Sequence, residues 1–441
     1  MQWIGYSVCV SLIFSLNAQE RELNMDEAIQ LAAKNNNSLE MARLEMSKAD
    51  QQVREAYGNA MPSLSFDGTY TRALKKPVFF LPDFDNPDNG EVTPIEIGSD
   101  NSIAVGFTAI QVLFNSAVFT GVGTAKIYQK SSRELYRAEY NKTVSDVKKA
   151  FYQVLLSQQV YETTKASMAN AEENFRNVKI LNQQGIVSDY DLIRAEVQVE
   201  NIRPRVIEAE QNVLVVTNAL KILLGIDAET KVRVKGELAL LEVDSTLLNA
   251  QTAIENNANL HALQYQKQVN REIATIRRSE FLPTLSAFGN YQWQAQKNSF
   301  DFAQKDFVGT SQVGLSLSIN LFNGFQTSAR VYQAKIDELK VEQQVRYTRE
   351  SIKTTLQSIA LRLEEAHKRV TSQSRTVELA EKSYKIANTR YQTGSGTQLE
   401  VNDADLALLQ ARLNRIQAVY DYMVTRVDLE EILSYHNPTQ N

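Results

Sequence analysis

The stretch QGIVSDYDLIRAE, residues 184–196, has a counterpart in TGSGTQLEVNDAD, residues 393–405, which begins 209 positions later. Each contains a glycine, then Ser or Thr at plus three, an acid at plus six, an aliphatic residue at plus seven and Ala at plus ten. A glycine of this kind ends a helix as a left-handed cap, and Ser/Thr followed by Asp/Glu three residues later begins the next helix as a capping box. The pattern therefore predicts two helical hairpins, with tips near 185–188 and 394–397. The predicted capping pairs are Ser188 with Asp191 and Thr397 with Glu400.

Internal similarity extends well beyond the two tips. QLAAKNNNSL at 30–39 lies 221 positions before QTAIENNANL, and MPSLSFDGTY at 61–70 lies the same distance before LPTLSAFGNY. VLFNS at 112–116 precedes NLFNG by only 208 positions, so the first copy has 13 extra residues. These fall in 77–101, which has four prolines, six acidic residues and no Lys or Arg, as is typical of an exposed loop. The chain is two copies of a unit of roughly 210 residues.

Most of each copy is predicted to be helix. No proline interrupts 119–184 or 325–393, so each segment can form a helix of about 95–100 Å. Apolar residues recur in steps of three and four along both segments, as in paired helices. The rows are Val144, Val147, Phe151, Val154, Gln158 and Tyr161 in the first copy and Ile352, Leu356, Ile359, Leu363, Ala366 and Val370 in the second. The return path is predicted as two pieces, 188–224 and 245–281.

Four strands are predicted from alternating apolar and small or polar residues, at about 63–71, 103–114, 284–293 and 312–322. Strands of roughly 9–11 residues suit a tilted membrane crossing, although a soluble antiparallel sandwich gives the same alternation. Two strand pairs cannot close a barrel, and an open edge cannot face lipid because its backbone groups would be unpaired. If the strands cross a membrane, several copies of the chain must therefore contribute to one barrel.

Composition excludes several functions. The 47 Lys and Arg against 52 Asp and Glu, with a pI near 5.6, give no basic field for nucleic acid or an anionic membrane surface. Residues 1–18 are predicted to be a secretory signal peptide, and the single cysteine, Cys9, lies within it. No stretch approaches 18 consecutive apolar residues, so no helical membrane span is predicted. His261, His367 and His436 are scattered without metal-ligand or catalytic spacing, so neither an enzyme, a metal site nor a cofactor is predicted.

The paired NN..L helices, the PxLS strand entries, the LFN strand exits and the two glycine-capped tips resemble those of the TolC-type outer-membrane efflux proteins. The resemblance covers essentially the whole chain after the signal peptide. It implies a mixed α and transmembrane β fold, with long α-helical hairpins in a periplasmic α-barrel continuous with a trimeric 12-stranded β-barrel, four strands per chain. The implied divisions are 1–18 (signal peptide), 19–224 (repeat 1), 225–245 (equatorial segment) and 246–441 (repeat 2, whose C-terminal end joins the equatorial region).

The resemblance also implies the function: the exit duct of a tripartite efflux pump or a type I secretion system, a passive channel in the outer membrane of a Gram-negative bacterium. Its implied partners are two further copies, a periplasmic adaptor (membrane fusion) protein, an inner-membrane transporter and outer-membrane lipid. The alternative is a periplasmic coiled-coil adaptor or scaffold without a membrane barrel. Adaptors usually have one hairpin inserted in a β-rich domain, whereas two full copies here each combine strands with a hairpin.

Site residues follow from the resemblance by position. Glu400 and Asp403 match acidic rings at the periplasmic mouth, and Tyr391 and Asp191 match a latch between the two tips, which suggests a hydrogen bond between them. An arginine expected two residues after the tip glycine is replaced by Gly396. The expected adaptor contacts are Gly185, Ile186, Gly394 and Ser395, and the expected helix-to-strand swivels are Pro62 and Pro283.

Each gate residue also has a purely structural interpretation. Asp191 and Glu400 are the acids of the capping boxes. Asp403 lies in the first turn of a helix, where the dipole favours an acid, and Tyr391 continues the heptad row through Tyr384 and Ala387.

Overall fold

The computed structural model describes residues 21–82, 92–240 and 249–435. The predicted signal peptide and the last five residues of the predicted equatorial segment lie outside these ranges, as do residues 436–441 of the chain end. The chain forms two compact units. Unit 1 comprises Met1–Glu45, Arg133–His261 and Arg346–Asn441, and unit 2 comprises Met46–Ser132 and Ala262–Val345.

The helices confirm the two predicted hairpins. They are α1 (Met25–Asn35), α2 (Asn37–Gly58), α3 (Ser116–Gln183), α4 (Asp189–Leu224), α5 (Ala250–Asn256), α6 (Ala258–Arg278), α7 (Gln326–Gln392) and α8 (Gln398–Ile432). The long helices α3 and α7 have 68 and 67 residues. The predicted piece 245–281 is not continuous, because the extended backbone of Asn257 separates α5 from α6. Asn36 makes the same break in the first copy.

The strands are β1 (Arg21–Leu23), β2 (Ser63–Arg72), β3 (Val78–Pro82), β4 (Val92–Glu96), β5 (Asn101–Phe114), β6 (Val232–Val234), β7 (Thr284–Lys297) and β8 (Val308–Ser318). In unit 2, four of them form an antiparallel sheet in the order β2-β5-β7-β8. The β5–β7 pair joins the two sequence copies, and β2 and β8 are the two edges.

Two strand predictions differ from the structure. The last strand was expected at about 312–322, but β8 begins four residues earlier, at Val308, and ends at Ser318, which pairs with Thr284. The next partner along β7 would be Pro283, which has no N–H to donate, so the ladder stops there. Within 77–101, β3 and β4 pair as a hairpin where the composition indicated only a loop. Its strands contain Val78, Phe79 and Phe80, residue types that favour β structure.

The sheet has one apolar and one polar face. Leu64 and Phe66 on β2 and Val313 on β8 are all more than 60% exposed, although large apolar side chains in water-soluble folds are usually buried. The strand register places apolar side chains next to one another across the sheet, since Phe66 is opposite Phe107 and Phe107 is opposite Tyr291. Most of the alternate positions are small or polar, as in the row Ser65, Thr108, Asn290 and Gln312, although Ile110, Phe288 and Val308 also lie on this face. The amphipathic character is therefore a property of the whole sheet.

Unit 1 has its core where the chain start meets the segment after α4. β1 and β6 form a two-stranded parallel sheet, which includes the first part of the predicted equatorial segment. Leu23, Phe151 and Leu224 are among the buried residues of this core. No helix in the described parts of the chain is long and apolar enough to span a membrane.

Candidate functional site

The candidate site lies in unit 1, at the tips of the α3–α4 and α7–α8 hairpins. Gly185 and Gly394 have φ angles of 71° and 74°, the left-handed conformation that favours glycine. The residue after each glycine donates its N–H five residues back, from Ile186 to the Leu181 carbonyl at 2.9 Å and from Ser395 to the Arg390 carbonyl at 2.8 Å. Both helices thus end in the predicted glycine cap.

The helix starts after the two tips differ. Thr397 and Glu400 form a complete capping box: the Glu400 N–H donates to Thr397 Oγ1 at 3.3 Å and the Thr397 N–H donates to Glu400 Oε2 at 3.1 Å. At the first tip the Asp191 N–H donates to Ser188 Oγ at 3.2 Å, but the carboxylate accepts from the Ser188 hydroxyl at 2.7 Å. The predicted reciprocal bond to the Ser188 backbone is replaced, because Asp is one methylene shorter than Glu.

Arg390 organises the second tip and was not singled out from the sequence. Its guanidinium donates to the Ser395 carbonyl at 3.0 Å and lies 3.8 Å from Glu400 Oε1. A Cβ at Gly396 would come within 3.0–3.1 Å of Arg390 Cβ, Glu400 Oε2 and the Tyr391 nitrogen. A glycine at 396 leaves room for this packing. The positive charge of the tip is supplied by Arg390, six residues before the position where an arginine was expected. The signal available in the sequence was a basic residue in the last turn of α7.

Glu400 and Asp403 lie together at this tip, on the first turns of α8. Both line a hollow of about 450 Å³ with Arg390, Ser383 and Ile386. Asp403 is exposed, whereas Glu400 is held by its cap bond and by Arg390. The structure therefore places the two predicted acids side by side, and the capping role of Glu400 is present as well.

The predicted hydrogen bond between Tyr391 and Asp191 is not formed. The buried hydroxyl oxygen of Tyr391 has no hydrogen-bond partner in the described ranges. Burial raises the pKa of the Tyr391 phenol, and the negative charge of the Asp191 carboxylate raises it further. One oxygen of that carboxylate already accepts from Ser188.

Asp405 is a buried acid near the second tip that was not predicted from the sequence. This side chain is 7% exposed and accepts from the Ser167 hydroxyl of α3 at 3.3 Å. Burial raises the pKa of its carboxyl, while the Ser167 bond and Arg412 oppose the shift. Its position was visible in the sequence, because Val401 precedes it by four residues and Leu409 follows by four on a buried helical face.

The two predicted swivel prolines belong to unit 2. Pro62 lies between the end of α2 and Ser63, the first residue of β2, and Pro283 directly precedes β7. Both positions are helix-to-strand junctions, while a swivel role stays a prediction. Within the described ranges no group of three or more His, Cys, Asp or Glu residues could hold a metal ion.

One sheet with an apolar face exposed, built from two strand pairs that each accompany a capped helical hairpin, indicates the class of membrane transport proteins. The family model of the outer membrane efflux proteins matches residues 28–226 and 249–434, so the chain belongs to that family. It is therefore a transport protein of the bacterial outer membrane. The family forms trimeric channels that work with other components of efflux pumps.

Named relatives agree with this assignment. Outer membrane protein TolC of Vibrio cholerae is 21% identical over 75% of this chain and 76% of its own length. The toluene efflux pump outer membrane protein TtgC of Pseudomonas putida is 22% identical over 93% of this chain and 82% of its own. Among solved structures, the Vibrio cholerae outer membrane protein VceC has a TM-score of 0.76 at 16% identity, covering 93% of this chain and 96% of VceC. These similarities confirm the predicted fold.

Proposed function

We propose that this chain is the outer-membrane exit duct of a tripartite efflux pump or a type I secretion system, a passive channel gated at its hairpin tips. The observation that carries the proposal is the sheet β2-β5-β7-β8, whose apolar side chains are exposed on one face and whose two edges are open. Such a sheet is stable in lipid only when its edges are paired. Three copies, joined β8 to β2, would close a 12-stranded barrel with the polar face inside.

The proposed gate is formed by the acids of the second tip. In a trimer, Glu400 and Asp403 would place six carboxylates around one axis, which attracts cations. Arg390 restrains this arrangement, because it lies against both Glu400 and the Ser395 carbonyl. Tyr391 and Asp191 are the proposed latch residues of the two tips, and the latch here lacks a hydrogen bond from the Tyr391 hydroxyl.

The proposed partner at the tips is a periplasmic adaptor protein, which would link the duct to an inner-membrane transporter. Ile186 and Tyr190 at the first tip are 65% and 62% exposed, so an apolar surface is available next to Gly185. Gly394 and Ser395 form the matching turn of the second hairpin. The divisions 19–224, 225–245 and 246–441 remain our proposal for the domain organisation, with one strand pair and one hairpin in each repeat.

The test is single-channel conductance of the purified oligomer in a planar bilayer. We expect small cation-selective steps from the native chain and wider steps from the Glu400→Ala/Asp403→Ala variant, because the mouth loses its acids and the Arg390 partner. Glu364→Ala/Glu365→Ala is the matched control, since it removes two exposed acids from the α7 surface. Conductance of this control should equal that of the native protein.

Two outcomes would contradict the proposal in different ways. Folded protein that never inserts into the bilayer would favour the periplasmic scaffold instead. An equal increase of single-channel conductance in the tip variant and in the control would be consistent with a channel but would contradict the acidic gate.

A further inference from the structure

The polar face of the sheet has a single charged side chain. Among β2, β5, β7 and β8 the charged residues are Asp67, Arg72 and Lys297, and the latter two are strand-terminal. Strict alternation assigns Arg72 and Lys297 to the apolar face, in line with Tyr70 and Ala295. Asp67 alternates with Phe66 and Gly68, so it belongs to the polar face. The Ser65 hydroxyl, two residues back on the same face, donates to its carboxylate at 3.0 Å.

The residues next to Asp67 on the neighbouring strands carry no positive charge. Its register partner on β5 is Gly106, and the next residue across, on β7, is Gln292. A side chain at 106 has no room, because a Cβ there would come 2.6 Å from the Tyr291 carbonyl oxygen. A hollow of about 160 Å³ results, whose lining includes Asp67, Thr108 and Gln292. In this part of the sheet the carboxylate is therefore surrounded by neutral hydroxyl and amide groups.

We infer that Asp67 makes the membrane part of the duct selective for small cations, independently of the acids at the hairpin tips. The inference rests on the proposed function, since it requires that the polar face line the lumen. Three copies would then place three carboxylates at one level of the barrel wall. Lumen-facing residues of such barrels are the ones that tune selectivity, whereas lipid-facing ones affect stability.

The expected size of the effect follows from the geometry of twelve strands. A spacing of 4.8 Å and a tilt near 40° give a radius of roughly 12 Å, so three carboxylates lie about 10 Å from the axis. With the dielectric constant of water and a Debye length of about 30 Å at 0.01 M salt, cations are enriched on the axis about fourfold. At 0.15 M salt, where the Debye length is about 8 Å, the enrichment falls to about twofold.

The experiment measures the reversal potential of single channels under a tenfold KCl gradient. The Glu400→Ala/Asp403→Ala chain is the background, so that acids of the tip cannot dominate the result. The same potential depletes chloride by the factor by which it enriches potassium, so the two factors multiply in the permeability ratio. We expect Asp67→Asn to reduce the ratio of potassium to chloride permeability about fourfold at 0.15 M salt and about 16-fold at 0.01 M salt. Asp67→Asn/Thr108→Asp returns a carboxylate to the same face on the next strand, and should restore the ratio.

An unchanged permeability ratio in Asp67→Asn would overturn the inference while leaving the duct intact. A reduced ratio that Thr108→Asp fails to restore would also overturn it, because a lumenal charge should act from either strand. Absence of any conductance in the background, from oligomer shown by protease protection to be inserted, would instead overturn the proposed function.

Discussion

Asn36 joins two helices of unit 1 by both ends of its amide, so its removal tests how the first copy is held together. Its Oδ1 accepts from the Leu39 N–H at 3.0 Å, which caps the start of α2. Its Nδ2 donates to the Leu223 carbonyl in the last turn of α4 at 2.8 Å, and the residue is 8% exposed. We predict that Asn36→Ala destabilises this junction locally.

The magnitude follows from the two bonds. Loss of a side-chain N-cap costs about 1 kcal/mol, and a buried carbonyl left without a donor costs about 1–3 kcal/mol. The last carbonyls of a helix have no partner within that helix, so the Leu223 carbonyl cannot recover its bond locally. The expected total is about 2–4 kcal/mol, which corresponds to roughly 30- to 1000-fold faster hydrogen exchange if exchange proceeds through local opening.

The second copy offers a matched control at Asn257. Its Oδ1 accepts from the Leu260 N–H at 2.9 Å, but its Nδ2 lies 3.5 Å from the Ile432 carbonyl, which is too long for a strong bond. Asn257→Ala should therefore cost only about 1–2 kcal/mol. Substitution by Asp separates the two bonds, because Asp retains the cap acceptor and loses the amide donor. Asn36→Asp should cost about 1–3 kcal/mol, the part due to the unpaired Leu223 carbonyl, whereas Asn257→Asp should be close to native.

Hydrogen exchange with mass spectrometry on the purified oligomer measures the local stability of each junction separately. Peptides from the start of α2 and the end of α4 report the first junction, and peptides from β5 and β7 should stay unchanged as an internal control. Equal acceleration by Asn36→Ala and Asn257→Ala would refute the reasoning. It would mean that the 2.8 Å bond to Leu223 contributes nothing to stability.

Two further predictions concern unit 1. Gly225 ends α4 at φ 62°, and the Asn35 backbone leaves no room for a Cβ there, so Gly225→Ala should lower the free energy of unfolding by about 2–5 kcal/mol. Gly185 has open space around it, so Gly185→Ala should lower the free energy of unfolding by only about 1–2 kcal/mol, the cost of the left-handed backbone. Thermal denaturation of both variants measures the difference. For Asp405, burial raises the folded pKa, so native stability should fall as pH rises from the ordinary aspartate pKa near 3.9 to that higher folded value. Asp405→Asn should remove this pH dependence. The variant should therefore be more stable than the native chain by an amount that grows with pH and disappears below about pH 4. Thermal denaturation at a series of pH values measures this difference.

The sequence predicted the regular elements well because period and capping are local properties. The long helices α3 and α7 begin and end within a few residues of their predicted bounds, and Gly185 and Gly394 cap them as expected. The end of β8 could not be predicted, since Pro283 terminates it from a partner strand more than 30 positions away in sequence. The β3–β4 hairpin was missed because its prolines outweighed the β-favouring residues between them.

The candidate site was predictable in its capping residues but not in its contacts. Glu400 was expected to cap α8 and does so. The bond from Tyr391 to Asp191 could not be predicted, because the Asp191 carboxylate accepts from the Ser188 hydroxyl instead, at 2.7 Å. Arg390 was missed for a related reason, since a positive charge was sought after the tip glycine rather than before it.

Comparison of the two copies separates packing from function at the tips. A residue needed only to fold a hairpin should recur 209 positions away, as the tip glycines and the Ser/Thr caps do. Arg390 and Asp403 instead correspond to Leu181 and Arg194 of the first copy, so neither charge is required for a hairpin to form. In a ring where the two hairpins alternate, these charges would recur once per chain. The second tip, and not the first, is therefore where we expect substitutions to change gating without changing the fold.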